Sequence, residues 1–297
     1  MKTEKNILVA FILNLSFSLF EFVGGIFVGS IAIVSDAIHD VGDAISIGIS
    51  YILEKKSKKQ PDEKHTYGYV RYSVLGSAVT TAILLVGSIA VIINAMVRIF
   101  NPVEIDYDGM VIFAVVGVLV NFVAAFVTRE GNSLNQKAVN LHMLEDVLGW
   151  IVVLIGAIVM KFTDFVIVDP LMSIGVSIFI LVNAINNFKQ IINLFVEKTP
   201  ENIDINNIKE HLMEIDGVMD VHHIHIWSID GQNNYATMHI VTDADFEQIK
   251  SKVRRELHEH GIVHVTIELE GKNESCHEKN CHTDFDCASC GHHHHHH

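Results

Sequence analysis

Six long stretches of mainly apolar residues dominate the first two thirds of the chain. They cover about residues 6–28, 31–53, 73–98, 110–128, 141–160 and 171–195. A helix needs about 20 apolar residues to cross the hydrocarbon core of a bilayer, and these stretches have about that length. The pattern therefore predicts six transmembrane helices in a domain of residues 1–197.

The periodicity changes after residue 197. Helical spacing covers residues 203–214 and 245–260, and strand-like alternation covers 218–227, 235–241 and 262–270. The order helix, strand, strand, helix, strand predicts a small α+β domain over residues 198–270. The predicted fold is therefore an all-α membrane domain followed by a small cytoplasmic αββαβ domain of the ferredoxin-like type.

The remaining residues form a tail that is rich in Cys and His. All four cysteines of the chain lie within residues 271–291, so no disulfide framework holds the fold together. Cys287 and Cys290 have the Cys-x-x-Cys spacing of half a tetrahedral zinc site. A disordered, redox-exposed tail is the alternative. We interpret the six consecutive histidines at 292–297 as an affinity tag.

Charge adds an orientation to the helices. The formal net charge is −14, which disfavours nucleic acid as a partner because a phosphate backbone requires a basic surface. Basic residues concentrate after the second and fourth helices and around the end of the sixth: Lys55, Lys56, Lys58, Lys59, Lys64, Arg71, Arg129, Lys137, Lys189 and Lys198. Since cytoplasmic loops carry the excess of Lys and Arg, we expect both termini in the cytoplasm.

Ionisable residues interrupt two of the apolar stretches. His39 and Asp43 are four residues apart in the second, and His142 and Asp146 are four apart in the fifth. A charged residue at mid-membrane costs about 2.5–3.5 kcal/mol, and residues four apart share a helix face. Two such faces would supply two imidazoles and two carboxylates, a tetrahedral set suited to Zn²⁺ and also compatible with Cd²⁺ or Co²⁺.

Other polar residues in the apolar helices leave alternatives open. A proton relay or a hydrogen-bond network without metal is the alternative for the His and Asp pairs, although two identical pairs favour metal. Asp40 and Glu145 fall off the shared faces, so we expect them to make pairing or water contacts. Asn14 and Glu21 either line the same cavity or join helices by hydrogen bonds. His and Asp also bind protons in competition with metal, which suggests exchange of metal for protons.

The chain resembles the cation diffusion facilitator family. The matching stretches are the two His-x-x-x-Asp pairs, Asp169-Pro170, His65-Thr66-Tyr67-Gly68-Tyr69 and Val221-His222-His223-Ile224-His225-Ile226-Trp227. The resemblance is strongest to bacterial cadmium–zinc–cobalt resistance exporters and the vesicular zinc transporters of animals. It implies a homodimeric antiporter in a bacterial inner membrane that exchanges metal for protons. The two pairs would be the transport site, with Zn²⁺ preferred, and dimerisation would stabilise the small tail domain.

The resemblance also implies two accessory sites. Some members have a loop site made of an Asp and two His. Here Asp62 and His65 match it, but Tyr69 stands where the second His would be, so we expect an incomplete site.

In the tail domain the resemblance implies a regulatory metal site. His222, His239 and His264 are the candidates that match the family. Glu270, at the end of the last strand, would complete the set, and Cys287 and Cys290 are further candidates from their spacing. For any one of these histidines, a half-exposed strand position bonded to backbone is the alternative. Regular strand alternation would put His223 and His225 on one sheet face and His222 on the other.

The leading hypothesis is a secondary-active exporter that moves Zn²⁺, or Cd²⁺ or Co²⁺, out of the cytoplasm in exchange for protons. The alternative is a membrane-anchored divalent-metal sensor that signals through its cytoplasmic domain. No enzyme is expected, because the stretch His258-Glu259-His260 lacks the zincin spacing and four protein ligands leave a metal no open position for hydrolysis.

Overall fold

A computed structural model describes residues 2–28, 31–100, 107–163, 168–272 and 274. Six long helices account for most of the first 200 residues: α1 Lys2–Val28, α2 Ile31–Ser57, α3 Arg71–Phe100, α4 Tyr107–Thr128, α5 Leu134–Thr163 and α6 Val168–Phe195. The six predicted helices are confirmed. α5 begins earlier than expected because Asn135 and Gln136, which look like link residues, are fully buried within it.

Five of these helices are long and apolar enough to cross a membrane, counting the described residues only: α1, α3, α4, α5 and α6. α2 differs because Asp36, Asp40 and Asp43 lie within its first half. Its 27 residues rise about 40 Å, more than the roughly 30 Å of a bilayer core. Large apolar side chains such as Val86 remain exposed on the helices, as expected for surfaces that face lipid.

A central apolar cluster packs four of the helices together. Its buried members come from α1, α2, α4 and α5: Ile7, Ala10, Ile47, Ala124, Ala125, Val139, Met143 and Val147. A second cluster of Leu84, Ile180 and Ala184 joins α3 to α6. Small residues are frequent in the central cluster, which allows close approach of the helix backbones.

A buried polar network ties α2, α3 and α5 together. Asn135 Nδ2 donates to the Ser50 carbonyl oxygen at 3.1 Å and to Glu54 Oε2 at 3.2 Å, and Ser50 Oγ donates back to Asn135 Oδ1. Ser73 Oγ of α3 donates to the same Glu54 oxygen at 2.6 Å. Buried polar groups of this kind are stable only while they remain paired, so the network fixes how α2 lies against α5.

The tail forms a three-stranded sheet with two helices. The elements are α7 Ile205–Met213, β1 Asp220–Ser228, β2 Asn234–Val241, α8 Phe246–Glu259 and β3 Ile262–Glu270, so the predicted αββαβ order is confirmed. β2 lies in the centre, antiparallel to β1 and parallel to β3. Asp204 and Asp245 cap the two helices by accepting hydrogen bonds from backbone N–H groups of their first turns.

The helices cover one face of the sheet. Ile208 and Leu212 of α7 and Val253 and Leu257 of α8 pack against buried residues of β2, which include Met238. Along β2 every second residue is buried, whereas Tyr235, Thr237, His239 and Val241 are half-exposed. The described residues divide into two compact units: the six long helices together with residues 229–232, and the rest of the chain from residue 197 onward.

We predict that Asn135→Ala destabilises the helical unit. It leaves Glu54 and the Ser50 carbonyl without their amide donor in a buried place, at a cost of about 1–3 kcal/mol. Asn183→Ala is the matched control, because the Asn183 amide donates only to the Phe179 carbonyl of its own helix at an exposed position. Thermal unfolding in detergent should show a lower midpoint for Asn135→Ala alone. An equal effect of both changes would contradict the structural role of the network.

Candidate functional site

Three of the four ionisable residues singled out in α2 and α5 meet inside the helical unit. Asp43, His142 and Asp146 each offer a ligand atom, and these atoms lie within 4.8 Å of one another. Asp43 is 6% exposed and His142 is 3% exposed, while Asp146 is half-buried. The arrangement is a compact group of one imidazole and two carboxylates among apolar helices.

The geometry around His142 suits a shared cation better than a direct hydrogen bond. His142 Nε2 lies 3.7 Å from Asp43 Oδ1, and neither ring nitrogen of His142 has a hydrogen-bond partner among the described residues. Ligand atoms bound about 2.1 Å from a tetrahedral ion are about 3.4 Å apart. A buried polar group without a partner is unfavourable, and an ion between the two side chains would supply one.

The candidate metal cluster and the buried polar network lie in one antiparallel register between α2 and α5. Asp43 precedes Ser50 by seven residues in α2, and His142 follows Asn135 by seven residues in α5. Seven residues are two helical turns, so the Asp43–His142 and Ser50–Asn135 contacts lie on one pair of facing stripes. Four residues further along this register, position 39 lies opposite Asp146. The side chain of His39 falls outside the described part of the chain.

α1 contributes a polar stripe beside the cluster. Asn14 Nδ2 donates to Asp146 Oδ2 at 3.2 Å, and Ser18 Oγ donates to the Asn14 carbonyl oxygen at 2.8 Å. Glu21, seven residues after Asn14, is fully buried. Asn14 thus contacts a candidate ligand without adding a charge, and this hydrogen bond joins α1 to α5, which is one of the two roles expected for Asn14. The carboxylate of Glu145 accepts a hydrogen bond from Ser88 Oγ of α3 at 3.3 Å.

The loop between α2 and α3 brings Asp62 and His65 together, but other side chains of the same loop already donate hydrogen bonds to Asp62. His65 Nδ1 lies 3.5 Å from Asp62 Oδ1. Tyr69 Oη donates to Asp62 Oδ2 at 2.6 Å, and Lys59 Nζ donates to the same oxygen at 2.9 Å. The Tyr69 hydroxyl and the Lys59 ammonium hold the pKa of the Asp62 carboxyl well below its usual range, and the same contacts raise the pKa of Lys59.

The loop therefore carries its own cation next to the carboxylate. The Lys59 ammonium lies within hydrogen-bonding distance of both Asp62 and Tyr69, and the ring of His65 stacks on Tyr69 with centroids 4.1 Å apart. A metal ion bound by Asp62 would meet the positive charge of Lys59. This arrangement gives a physical reason for the incomplete site expected from the sequence.

The tail sheet carries a second candidate metal cluster. His222, His239 and Glu270 offer ligand atoms within 4.8 Å of one another. His239 Nδ1 lies 2.6 Å from Glu270 Oε1, and His222 Nε2 lies 3.4 Å from Glu270 Oε2. Glu268 Oε2 approaches His239 Nε2 at 3.3 Å. Since His239 belongs to the half-exposed residues of β2, the cluster lies on the sheet face away from the helices.

The structure does not bring His264 into this cluster. The parallel pairing sets His264 opposite Tyr235, whereas Glu268 lies opposite His239. His264 is exposed and is six residues, about 20 Å of strand, from Glu270. Grouping His264 with His222 and His239 was therefore wrong within one chain, and Glu268 takes the place beside His239. Cys287 and Cys290 lie outside the described residues.

The expected alternation of the β1 histidines is also wrong. The pairing shifts between His222 and His225, where one extra residue is accommodated, and His223 has a positive φ of 52°. A bulge of this kind resets which face each residue takes. His222 pairs with His239 and His225 with Thr237, so both face the same side, and the His223 ring stacks on His239 at 4.7 Å. Burial and the neighbouring imidazoles lower the pKa of His225.

Comparison with known protein families matches both units of the chain. The family model described as the cation efflux transmembrane domain matches residues 7–195, and the one described as the cytoplasmic domain of cation efflux proteins matches residues 200–272. Together these matches cover the six long helices, except for the first five residues of α1, and the whole αββαβ domain.

Several characterised proteins are similar over nearly their full length. A cadmium, cobalt and zinc/H(+)-K(+) antiporter of Bacillus subtilis is 33% identical over 276 residues, which cover 90% of this chain and 89% of that protein. The zinc transporter ZitB of Yersinia pseudotuberculosis is 32% identical, covering 99% and 96%. The metal cation efflux system protein CzcD of Cupriavidus metallidurans is 28% identical, covering 90% and 86%.

We predict that the α2–α3 loop gains a metal site only if its internal cation is removed. Tyr69→His combined with Lys59→Ala should bind one further Zn²⁺ per chain, because the introduced imidazole would join Asp62 and His65 as a third ligand. Equilibrium dialysis with elemental analysis measures this, with residues 292–297 removed from every protein compared. Tyr69→His alone is the control and should gain no ion. A gain in the control, or none in the double variant, would contradict the role given to Lys59.

Proposed function

Because the chain belongs to the cation diffusion facilitator family and is a multi-pass membrane transporter of metal cations, we propose that it exports Zn²⁺ from the cytoplasm in exchange for protons. Cd²⁺ and Co²⁺ are alternative cargoes, since the name of the Bacillus subtilis relative includes all three metals. The observation that carries the proposal is the buried cluster of Asp43, His142 and Asp146 in α2 and α5.

The transport site consists of His39, Asp43, His142 and Asp146. The register between α2 and α5 supports His39 as the fourth ligand, because position 39 lies opposite Asp146. Two neutral imidazoles and two ionised carboxylates form a tetrahedral ligand set. This set favours Zn²⁺ over Mg²⁺ or Ca²⁺, which prefer oxygen ligands and higher coordination numbers. Asn14 orients Asp146 by donating to the oxygen Oδ2.

Proton exchange follows from the charge of this set. Metal binding requires ionised carboxylates and neutral imidazoles, so it releases protons. Two carboxylates cannot stay ionised in an apolar interior without a positive counterpart. The site is therefore occupied either by the metal ion or by protons as it passes between the two sides. A lower pH outside displaces the metal, and a higher pH in the cytoplasm favours loading.

The helices cross a bacterial inner membrane, and both termini lie on its cytoplasmic side. The last turn of α2 contains Lys55 and Lys56, and the segment after it contains Lys58 and Lys59, as expected on the cytoplasmic side. The match of residues 200–272 to a cytoplasmic domain supports the same orientation. The protein acts as a homodimer joined through this domain.

The tail cluster of His222, His239 and Glu270 acts as a cytoplasmic metal sensor. Its side chains are half-buried or buried, yet the sheet face that carries them is not covered by the helices. Metal binding there regulates transport if the tail binds metal more tightly in one conformation of the transporter than in the other.

We predict that Asp43→Asn and His142→Ala each abolish transport. Zn²⁺ flux into proteoliposomes with an imposed pH difference should fall more than about 100-fold, because even residues that only orient metal ligands contribute about 10–100-fold. Glu145→Gln is the control on the same helix, since its carboxylate accepts from Ser88 and lies outside the proposed ligand set. A membrane-anchored sensor without transport activity would show no flux in any of these proteins.

Two outcomes of the transport assay would contradict the proposal. One is Zn²⁺ flux in the unaltered protein that does not respond to the pH difference, which would rule out proton exchange. The other is normal flux in Asp43→Asn, which would remove α2 from the transport site.

We predict that Glu270→Gln changes regulation and leaves the transport site intact. The dependence of flux on cytoplasmic Zn²⁺ should shift to about 10-fold higher concentration or more, while flux at saturating Zn²⁺ is unchanged, because a carboxylate ligand of the tail cluster is lost. Glu259→Gln, at an exposed position of α8, is the control. Identical metal dependence in all three proteins would show that the tail cluster is not a sensor.

A further inference from the structure

Three side chains on the helix side of the tail domain converge on one point. His211 is in the last turn of α7, Glu256 is in the last turns of α8, and His260 is the residue that caps α8. Their ligand atoms lie within 4.8 Å of one another. They lie on the face of the sheet that α7 and α8 cover, whereas the cluster of His222, His239 and Glu270 lies on the opposite face.

The three contacts form a triangle, because each residue uses a single atom for both of its contacts. His211 Nδ1 lies 3.2 Å from Glu256 Oε1 and 2.9 Å from His260 Nε2, and His260 Nε2 lies 3.5 Å from Glu256 Oε1. Ligand atoms of a tetrahedral zinc site are about 3.4 Å apart. An ion about 2.1 Å from all three atoms would stand about 1 Å out of their plane, with a fourth position open to water.

Hydrogen bonds alone cannot account for all three contacts. A bond from either imidazole to the Glu256 carboxylate requires that imidazole nitrogen to carry a proton. A bond between the two imidazole nitrogens requires one of them to lack it. At most two of the three contacts can therefore be hydrogen bonds at once, whichever tautomers are present. A metal ion uses the lone pairs of all three atoms together.

The two helices hold the three side chains in place. Leu212 and Leu257, which directly follow His211 and Glu256 in the sequence, are fully buried in the same core. Glu256 and His260 are one turn apart, and the His260 backbone N–H donates to the Glu256 carbonyl oxygen at 3.2 Å. Gly261, with a φ of 77°, ends the helix immediately afterwards. Little conformational freedom is lost when these ligands bind an ion.

We propose that His211, Glu256 and His260 bind a divalent transition-metal ion, with Zn²⁺ as the expected ion. Two imidazoles and one carboxylate suit Zn²⁺, Co²⁺ or Ni²⁺ better than Mg²⁺ or Ca²⁺. The side chains are 44%, 26% and 22% exposed in the order His211, Glu256, His260, so the ion exchanges directly with solvent. Binding joins the C-terminal ends of α7 and α8 and stabilises the folded tail domain against local opening.

The full-length chain, with residues 292–297 removed, tests this site with Zn²⁺ as the probe. Equilibrium dialysis measures Zn²⁺ per chain, and hydrogen–deuterium exchange reports the last turns of α7 and α8. We expect His211→Gln and His260→Gln each to bind one ion fewer and to lose the slowing of exchange that Zn²⁺ causes there. His258→Gln, an exposed histidine of the same turn, is the matched control and should behave as the unaltered chain.

The measurements also separate a metal site from a structural role. Without Zn²⁺, the two ligand variants should exchange at the rate of the unaltered protein, which shows that they are folded. Equal Zn²⁺ content in all four proteins would overturn the proposal, as would the loss of an ion in His258→Gln. Faster exchange of His260→Gln in the absence of Zn²⁺, with unchanged metal content, would show that the triangle only caps the helices and would also overturn it.

Discussion

Carboxylates and imidazoles that are buried among apolar helices must be paired with one another or with a cation, because an uncompensated charge there is costly. In this chain the requirement applies between α2 and α5, where Asp43 lies 3.7 Å from His142 and a cation between them would satisfy both side chains. Two turns away, Ser50 and Asn135 are hydrogen-bonded in the same antiparallel register. The buried network thus sets the spacing at which the ionisable side chains face each other, and helix packing decides the geometry of the candidate metal cluster.

Among the described residues, three imidazole and carboxylate side chains cluster at each of three places, and these places differ mainly in exposure. The cluster in the helical unit is buried, which suits an ion that must cross an apolar barrier. The clusters on the two faces of the tail domain are more accessible, which suits reversible binding from solution. The α2–α3 loop is not expected to hold an ion, since the ammonium of Lys59 already balances the negative charge of Asp62. In the account proposed here, a carboxylate is available for a metal ion only where it has no cationic neighbour of its own.

The main elements could be predicted from sequence because long apolar stretches and strand alternation are strong, local signals. The two His and Asp pairs were equally visible, since ionisable residues stand out in apolar helices. The structure departs from expectation where packing or pairing decides the outcome. His264 is separated from His239 by strand register, and the left-handed backbone at His223 resets the faces of β1. The group around His211 depends on the packing of α7 against α8, which joins residues 45 or more positions apart.

The most direct measurement of the central claim is the position of bound zinc in the protein. Anomalous diffraction from Zn²⁺-loaded crystals, recorded on both sides of the zinc absorption edge, locates every bound ion without any substitution. The account predicts a peak between α2 and α5, about 2.1 Å from His142 Nε2 and from a carboxylate oxygen of Asp43. Occupied zinc peaks on the tail domain with no peak between Asp43 and His142, in crystals grown where carboxylates are ionised, would contradict it.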